Sequence, residues 1–151
     1  MDPTVIVAAL GFVATLLATS LASRWQRLGA REARLFDARV RSYSDCAGAL
    51  YEYERALYHR VKTRFEGGLE QAERAQIRQQ AWSSNAAARA AIAPVSLLSS
   101  IPNLSQDLEA VRSRIGDMND ATGLDDLLGR HSDIQEELHR ILATARADLA
   151  A

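Results

Sequence analysis

The chain has 151 residues, a length that favours one domain with room for an appended segment. Its 18 basic and 19 acidic residues give a net charge of −1, so the overall balance gives no reason to expect a nucleic-acid-binding protein. The charge is uneven, with a net +4 over residues 1–101 and a net −5 over residues 102–151. The single cysteine, Cys46, excludes an internal disulfide framework and a cysteine-rich zinc site, and is interpreted as a small core residue.

The first predicted element is an apolar helix near the N-terminus. Residues 4–22 contain no charged side chain, and a helix of that length is about 28 Å long, close to the ~30 Å hydrocarbon thickness of a bilayer. The opening Met-Asp-Pro lacks the basic residues of a secretion signal, and the segment lacks the polar face of an amphipathic helix in a soluble protein. The segment is therefore predicted to be an uncleaved membrane-spanning helix, rather than a cleaved signal or a buried core helix.

The residues after the apolar segment predict its orientation. Tryptophan favours the headgroup level of a membrane, and clustered arginines are retained on the cytoplasmic side. The predicted membrane-interface residues are Arg24, Trp25, Arg27 and Arg31. We expect a protein of the bacterial inner membrane with its N-terminus outside, a transmembrane anchor at residues 1–23 and a cytoplasmic helical domain at residues 24–151.

Small residues recur at helical spacing along the predicted anchor. Membrane helices that carry a small residue at every fourth position approach one another closely, and their association depends on such packing. The two rows are Gly11, Thr15, Thr19 and Ala14, Ala18, Ala22. An alanine-rich composition also produces such rows by chance, so self-association through the anchor is a hypothesis.

The anchor is predicted to continue without a break into a long helix that ends at Gly67 and Gly68, because glycine adopts the left-handed conformation of a helix C-terminus. Apolar residues recur there with the 4-3-4-3 spacing of a helical seam, in which Glu54 is the one polar member. The predicted seam consists of Phe36, Val40, Tyr43, Ala47, Leu50, Glu54, Leu57 and Val61.

A second helix is predicted to begin near Leu69 and to return along the first as an antiparallel hairpin. Its seam has the same spacing but consists mostly of small residues, which favours a close approach of the two helices. The seam comprises Ile77, Ala81, Ser84, Ala88, Ala91, Val95 and Leu98. Pro94 has no amide hydrogen and is expected to break or kink this helix around residues 90–93.

Two further helices are predicted in the last third of the chain. Pro102, with Asn103 or Ser105 as the cap, begins the third, and Thr122-Gly-Leu-Asp125 resembles a capping box at the start of the fourth. Their apolar positions are Leu104, Leu108, Val111, Ile115 and Met118, then Leu124, Leu127, Leu128, His131, Ile134, Leu138, Ile141, Leu142, Ala145 and Leu149. The predicted fold class is all-α, with one N-terminal transmembrane helix continuous with a long helix, packed in a three- to four-helix antiparallel cytoplasmic bundle or helical hairpin.

The sequence contains no recognisable catalytic constellation, since the phosphate-loop and nucleophile motifs do not occur. Glu136 and His139 have the Glu-x-x-His spacing of di-iron bundle proteins, but those proteins need a second such motif and two further glutamates. The acidic segment at residues 117–126 does not have the spacing of a calcium loop. We predict a non-enzymatic protein with no catalytic residues, cofactor, metal or small-molecule substrate, and expect His131 to be a hydrogen-bonded or partly exposed core residue.

The most distinctive stretch of the predicted cytoplasmic domain is LYEYERALYHRVKTRF, residues 50–65. One interpretation is a border between helices, where a tyrosine buries its ring and leaves its hydroxyl in water. The other is a surface that binds a protein partner, because tyrosine and arginine are enriched at interface hot spots. The residues that serve either interpretation are Tyr51, Arg55, Tyr58 and Arg60.

Four features carry a resemblance: the MDPT start, the arginine-rich exit of the apolar segment, and the stretches LYEYERALYHRVK and LEAVRSRIGDMNDAT. In these the chain resembles a group of small membrane-anchored helical proteins of actinobacteria and their phages or prophages. The resemblance implies no catalytic residues, and it implies a phage-related role, such as exclusion of other phages at the membrane.

The leading functional hypothesis is a single-span protein whose cytoplasmic domain self-associates or docks a partner at the inner face of the membrane. Its expected partners are the lipid bilayer, further copies of the chain and a cytoplasmic protein, with no nucleic acid. The alternative is a membrane-perturbing effector or phage-defence protein that acts by oligomerisation of the anchor.

Overall fold

The computed structural model describes the backbone of residues 3–150 and the side chains of residues 29–149. Four α-helices follow one another: α1 spans Pro3–Glu66, α2 spans Gln71–Leu98, α3 spans Leu104–Gly116 and α4 spans Leu124–Ala150. A short 3₁₀ turn, Asp117–Asp120, connects α3 to α4. Residues 3–150 contain no strand, so the predicted all-α fold class is confirmed.

The chain divides into two units, Met1–Asp37 and Ala38–Ala151. Within the part of the chain whose side chains are described, no helix has an apolar stretch long enough to cross a membrane. The predicted anchor at residues 4–22 lies outside that part. The boundary predicted at residues 23 and 24 remains a prediction.

Helix α1 ends where the glycine pair was expected to end it. Gly67 and Gly68 have φ angles of 72° and 80°, in the left-handed region that favours glycine. The Gly67 amide donates to the carbonyl oxygen of Thr63 at 3.1 Å, which satisfies one of the last carbonyls of the helix. Helix α1 spans Pro3–Glu66, whereas its first part as a membrane anchor remains a prediction.

Within the second unit, α1 lies antiparallel to both α2 and α4. The Arg39 Nε atom, early in this part of α1, donates to the carbonyl oxygen of Leu98 at the end of α2, at 2.7 Å. The Tyr43 hydroxyl donates to Asp148 near the end of α4 at 2.5 Å. Arg64, near the end of α1, instead contacts the segment just before α4. The alternating directions give the up-down-up-down order of a four-helix bundle.

Helix α3 packs between α2 and α4. Its Arg112 donates to the Asn85 side chain of α2 at 2.6 Å, and its Arg114 pairs with Glu137 of α4. All five apolar positions predicted for this helix and the turn after it are buried, with exposures of 0–3%. Asn103 immediately precedes the helix, as predicted, but in a left-handed conformation with φ 67° and without a side-chain capping bond.

The core contains residues of all four helices. The predicted seam of α1 is confirmed at Tyr43, Leu50, Leu57 and Val61, and that of α4 at Leu127, Ile134, Leu138, Ile141 and Ala145, all of which are buried. Cys46 is 1% exposed, as expected for a core residue. Its burial raises the pKa of the thiol to about 11, so the thiol is protonated at neutral pH.

Several predicted core positions face solvent instead. Phe36 and Val40 are 49% and 39% exposed, and Leu124 and Leu128 are 41% and 50% exposed. In α1 the buried face includes Tyr53, which the strict 4-3-4-3 pattern passed over. A seam at 3.5 residues per turn drifts by only about 20° per heptad, so drift does not turn Phe36 away from the face of Tyr43. The helices that cover α1 end beside this part of it, at Leu98 next to Arg39 and at Asp148 next to Tyr43.

Pro94 does not break α2, which continues through this residue to Leu98, so the expected break is wrong. The alternative, a kink, stays a prediction. The missing amide removes one helical bond to the carbonyl of Ala90, four residues earlier. Pro94 and Ala90 are both exposed, so water can hydrate the freed carbonyl. Ile92 and Val95 are buried beside this site and anchor the last turns of α2 in the core. Ile92 is buried on the seam, and the predicted Ala91 is partly buried against the core.

The start of α4 is capped by a different acid from the predicted Asp125. The Thr122 amide donates to an Asp126 carboxylate oxygen at 2.9 Å, and the Thr122 hydroxyl donates to the same oxygen at 3.2 Å. Arg130 donates to the other Asp126 oxygen at 2.8 Å. The hydrogen bond from Arg130 makes the largest contribution to lowering the pKa of Asp126, and the hydrogen bond from the Thr122 amide makes the next largest.

Candidate interaction surfaces

The structure separates the four residues predicted as a partner surface. Tyr51 and Tyr58 are half-buried and pack against the core. Arg55 is exposed and pairs with Glu52 one turn earlier at 3.0 Å. Arg60 instead lines a cavity between α1 and α2. Residue separations of four and seven keep Tyr51, Arg55 and Tyr58 on one face of α1, whereas nine places Arg60 on the opposite face.

A polar cluster joins α1 to α4 beside Tyr58. Glu54 is only 3% exposed, and its carboxylate contacts Nδ1 of His131. The Gln135 side-chain amide donates to the other Glu54 oxygen at 3.0 Å. The Tyr58 and His131 rings lie 4.6 Å apart, centroid to centroid, at an angle of 37°. Each oxygen of the buried carboxylate thus has a partner, and the contacts fix the register of α1 against α4.

The expectation for His131 is confirmed, since its side chain is hydrogen-bonded and 33% exposed. Glu136 and His139 of the Glu-x-x-His pair are exposed on α4. In the described part of the chain, no three His, Cys, Asp or Glu side chains converge as metal ligands would.

Helix α2 carries a surface that was not predicted from the sequence. Trp82 is 65% exposed, and a shallow depression beside it is lined by further residues of α2 and by one residue of α3. We call this set the Trp82 surface: Trp82, Asn85, Ala86, Arg89, Ala90, Ala93 and Arg112. Its alanines leave the backbone of α2 open to close approach.

The seam of α2 contained the signal for this surface. Ala81, Ser84 and Ala88 were predicted to face the core, and they do. Each residue advances the helix by about 100°, so Trp82 must point away from the core if Ala81 points into it. A tryptophan displayed outward on a helix of small residues is a cue for an interface.

Arg112 is held in place at the edge of the Trp82 surface. Its Nη1 atom donates to Asn85 at 2.6 Å and its Nε atom donates to both oxygens of Glu109 at 3.0 Å. The hydrogen bond from Arg112 is the main reason why the pKa of Glu109 lies below its usual value, and the positive charge of Arg89 adds to the effect. Trp82 therefore has a pre-positioned arginine beside it.

Most of the residues predicted for the membrane lie outside the described side chains. These are Gly11, Ala14, Thr15, Ala18, Thr19 and Ala22 of the anchor rows, and Arg24, Trp25 and Arg27 of the interface. Arg31 is described and is exposed. The assignment of these residues remains a prediction.

Residues 40–149, which include α2, α3 and most of α4, match the KilB plasmid transfer protein family. The chain belongs to this family. The match covers both the Glu54 cluster and the Trp82 surface, and it associates this KilB-family chain with plasmids. It supports the mobile-element part of the resemblance found in the sequence; the actinobacterial and phage parts remain predictions. Neither a curated protein nor a solved structure matches the chain.

Proposed function

We propose that this KilB-family chain is a non-enzymatic component of plasmid transfer that assembles into an oligomer at the inner face of the membrane. Residues 4–22 would anchor it, with the N-terminus outside, and the helical bundle would associate with further copies through the Trp82 surface. The exposed indole of Trp82 beside a depression that contains three alanines is the observation that carries this proposal.

The Trp82 surface favours a second copy of α2 as its partner, because it carries both a protruding side chain, the Trp82 indole, and a shallow depression that could accept an indole. In a two-fold dimer, residue i of one copy meets residue j of the other, and the reverse contact is equivalent. If two α2 helices cross antiparallel about a point midway between Ala86 and Arg89, Trp82 of each copy meets Ala93 of the other. The alanines let the helices approach, and each indole then loses its contact with water.

The charges next to the indole are compatible with such a contact. Arg89 and Arg112 would be brought towards their counterparts in a second copy, which is unfavourable for unpaired like charges. Glu109 pairs with Arg112 and also interacts with Arg89. The carboxylate therefore offsets part of the positive charge within each copy.

Sedimentation of the full chain in density-matched detergent tests this proposal. Carrying Gly11→Leu and Ala18→Leu in every sample removes association through the predicted anchor rows, so the bundle alone is measured. We expect Trp82→Ala to raise the dimer dissociation constant about 1,000-fold, since a buried tryptophan hot spot contributes about 2 kcal/mol or more and each dimer loses two such contacts, about 4 kcal/mol together.

Leu97→Ala is the matched control, because Leu97 lies on the same helix and is 86% exposed, but it does not line the Trp82 surface. We expect this control to leave the dissociation constant unchanged. An equal weakening by both variants, or a parent chain that stays monomeric at about 100 μM, would contradict self-association through Trp82.

Anchor topology is tested separately. A reporter fused after Arg27 should lie in the cytoplasm, and a reporter that lies outside the cell would overturn the proposed orientation. The small-residue rows support a contribution of the anchor to assembly. We expect Gly11→Leu with Ala18→Leu to abolish crosslinking between anchors; depolarisation of cells on overexpression, lost in the same variant, would favour the membrane-perturbing alternative.

A further inference from the structure

A cavity of about 340 Å³ lies between the end of α1 and the start of α2, beside the Gly67–Gly68 turn. Four arginines line it: Arg60, Arg64, Arg74 and Arg78. No acidic residue is among the described residues of its lining. From this concentration of unbalanced guanidinium groups around one cavity, we propose that the cavity binds a phosphorylated small molecule of nucleotide size.

The acidic residues nearest in the chain are engaged elsewhere. Glu66 pairs with Lys62 at 3.6 Å. Glu70 and Glu73 form a reciprocal capping box at the start of α2, in which the Glu70 amide donates to Glu73 at 3.2 Å. A cavity whose described lining has four arginines and no acidic residue has a positive potential, which favours the binding of an anion.

One arginine is fixed by the chain itself. Arg64 donates to the carbonyl oxygens of Asn119 and Ala121 at 2.9 and 3.0 Å, and its guanidinium lies 4.8 Å from the centre of the Phe65 ring. In contrast, Arg60, Arg74 and Arg78 form no ion pair with any acid whose side chain is described. Arginine matches phosphate oxygens with two parallel N–H donors, so these three are the residues that would hold the phosphate.

The volume and the apolar lining of the cavity indicate what the ligand contains besides the phosphate. A volume of about 340 Å³ falls in the range of small-molecule sites, which begins near 300 Å³. Val61, Leu69 and Ile77 add apolar lining, and Val61 belongs to the buried core. A ligand with a phosphate and a planar or apolar portion uses both parts of this lining, as a nucleoside phosphate would. Self-association through the Trp82 surface is a separate matter, because Trp82 does not line this cavity.

Calorimetric titration of the full chain in a non-ionic detergent tests the site with ADP, inorganic phosphate and adenosine as probes. We expect ADP to bind, inorganic phosphate to bind more weakly and adenosine not to bind. Arg78→Ala should weaken ADP binding at least tenfold, because hydrogen bonds between charged groups contribute about 1.5–3 kcal/mol. Arg55→Ala, which removes an exposed arginine outside the cavity, should have no effect.

Four results would overturn the proposal. The first three are no ADP binding at millimolar concentration, equal binding of adenosine and ADP, and equal weakening by Arg78→Ala and Arg55→Ala. A fourth is binding only to vesicles of anionic phospholipid, which would assign the arginines to lipid headgroups rather than to a soluble phosphate. Circular dichroism tests whether both variants fold. If Arg78→Ala does not fold, Arg74→Ala provides a second variant of the cavity.

Discussion

The border between α1 and α4 and the outer face of α2 use aromatic residues in opposite ways. At the border, the Tyr58 ring lies 4.6 Å from the ring of His131, and Glu54 is buried beside it with partners for both oxygens. On α2, Trp82 is 65% exposed beside a shallow depression lined by three alanines, Asn85 and two arginines. The first region satisfies its polar groups within the chain, whereas the second leaves a large apolar group in water.

This difference separates two meanings of an aromatic residue in a helical sequence. Tyr51 and Tyr58 recur at seven-residue spacing beside the core seam, so an interface within the chain accounts for their exposure. Trp82 points away from its own seam, and no helix in the described part of the chain buries it. An outward aromatic therefore indicates association more strongly than a tyrosine next to a seam.

The largest effect is expected from removing the buried carboxylate at the border. Glu54→Ala leaves His131 and Gln135 without their partner and opens a hole between α1 and α4. We expect the free energy of unfolding to fall by about 2–4 kcal/mol, as it does when a buried polar network loses a member. Chemical denaturation measures this loss.

Glu52→Ala is the matched control, because Glu52 lies on the same helix and pairs with Arg55 in an exposed bridge. Its effect should stay within about 0.5 kcal/mol. If the two glutamate variants were equally stable, the Glu54 cluster would not hold the border together.

Replacing Tyr58 or Trp82 is expected to have a smaller effect on the free energy of unfolding, but the two variants should differ in dimerisation. Tyr58→Ala removes a half-buried ring that packs on His131, and should lower the free energy of unfolding by about 1–2 kcal/mol without changing the dimer dissociation constant. Trp82→Ala should raise the dimer dissociation constant. It should leave the free energy of unfolding unchanged when this is measured in dilute protein, where the monomer predominates. If Tyr58→Ala weakened dimerisation as strongly as Trp82→Ala, the border would also be an intermolecular surface.

Most of the fold could be predicted from local rules. The glycine pair, the seam of α3 and the central positions of the α1 and α4 seams needed only periodicity and turn chemistry. The failures have tertiary causes. Pro94 stays helical because Ile92 and Val95 are buried around it. Phe36 is exposed although it continues the seam, because the helices that cover α1 end at Leu98 and Ala150, beside Arg39 and Tyr43.

The candidate sites were harder to predict because each combines residues that are distant in the sequence. Glu54 was recognised as the polar member of a seam, but its partners lie on α4, 77 and 81 residues away. Arg60 was grouped with Tyr58 by proximity in the sequence, although the helix turns them to different sides. The arginine cavity requires the α1–α2 hairpin to be formed before Arg60 and Arg78 meet.

The smallest expected effect is on acid stability at the far end of the α1–α4 border. Hydrogen bonds from Ser100, and then from Tyr43, hold the pKa of Asp148 below its usual value. A carboxylate whose pKa is lower in the folded state stabilises the fold fully above about pH 5, and this contribution is lost as the pH falls below about 4.

Asp148→Asn keeps an acceptor for Tyr43 but removes the titrating charge. We expect the free energy of unfolding of this variant to fall less steeply between about pH 5 and pH 2, by less than about 1 kcal/mol, because a partly exposed carboxylate is screened by solvent. Glu109 has a lowered pKa for a similar reason, so a residual slope persists. Urea unfolding across this pH range measures the difference, and a slope identical to that of the parent chain would mean that hydrogen bonding rather than charge closes this end of the border.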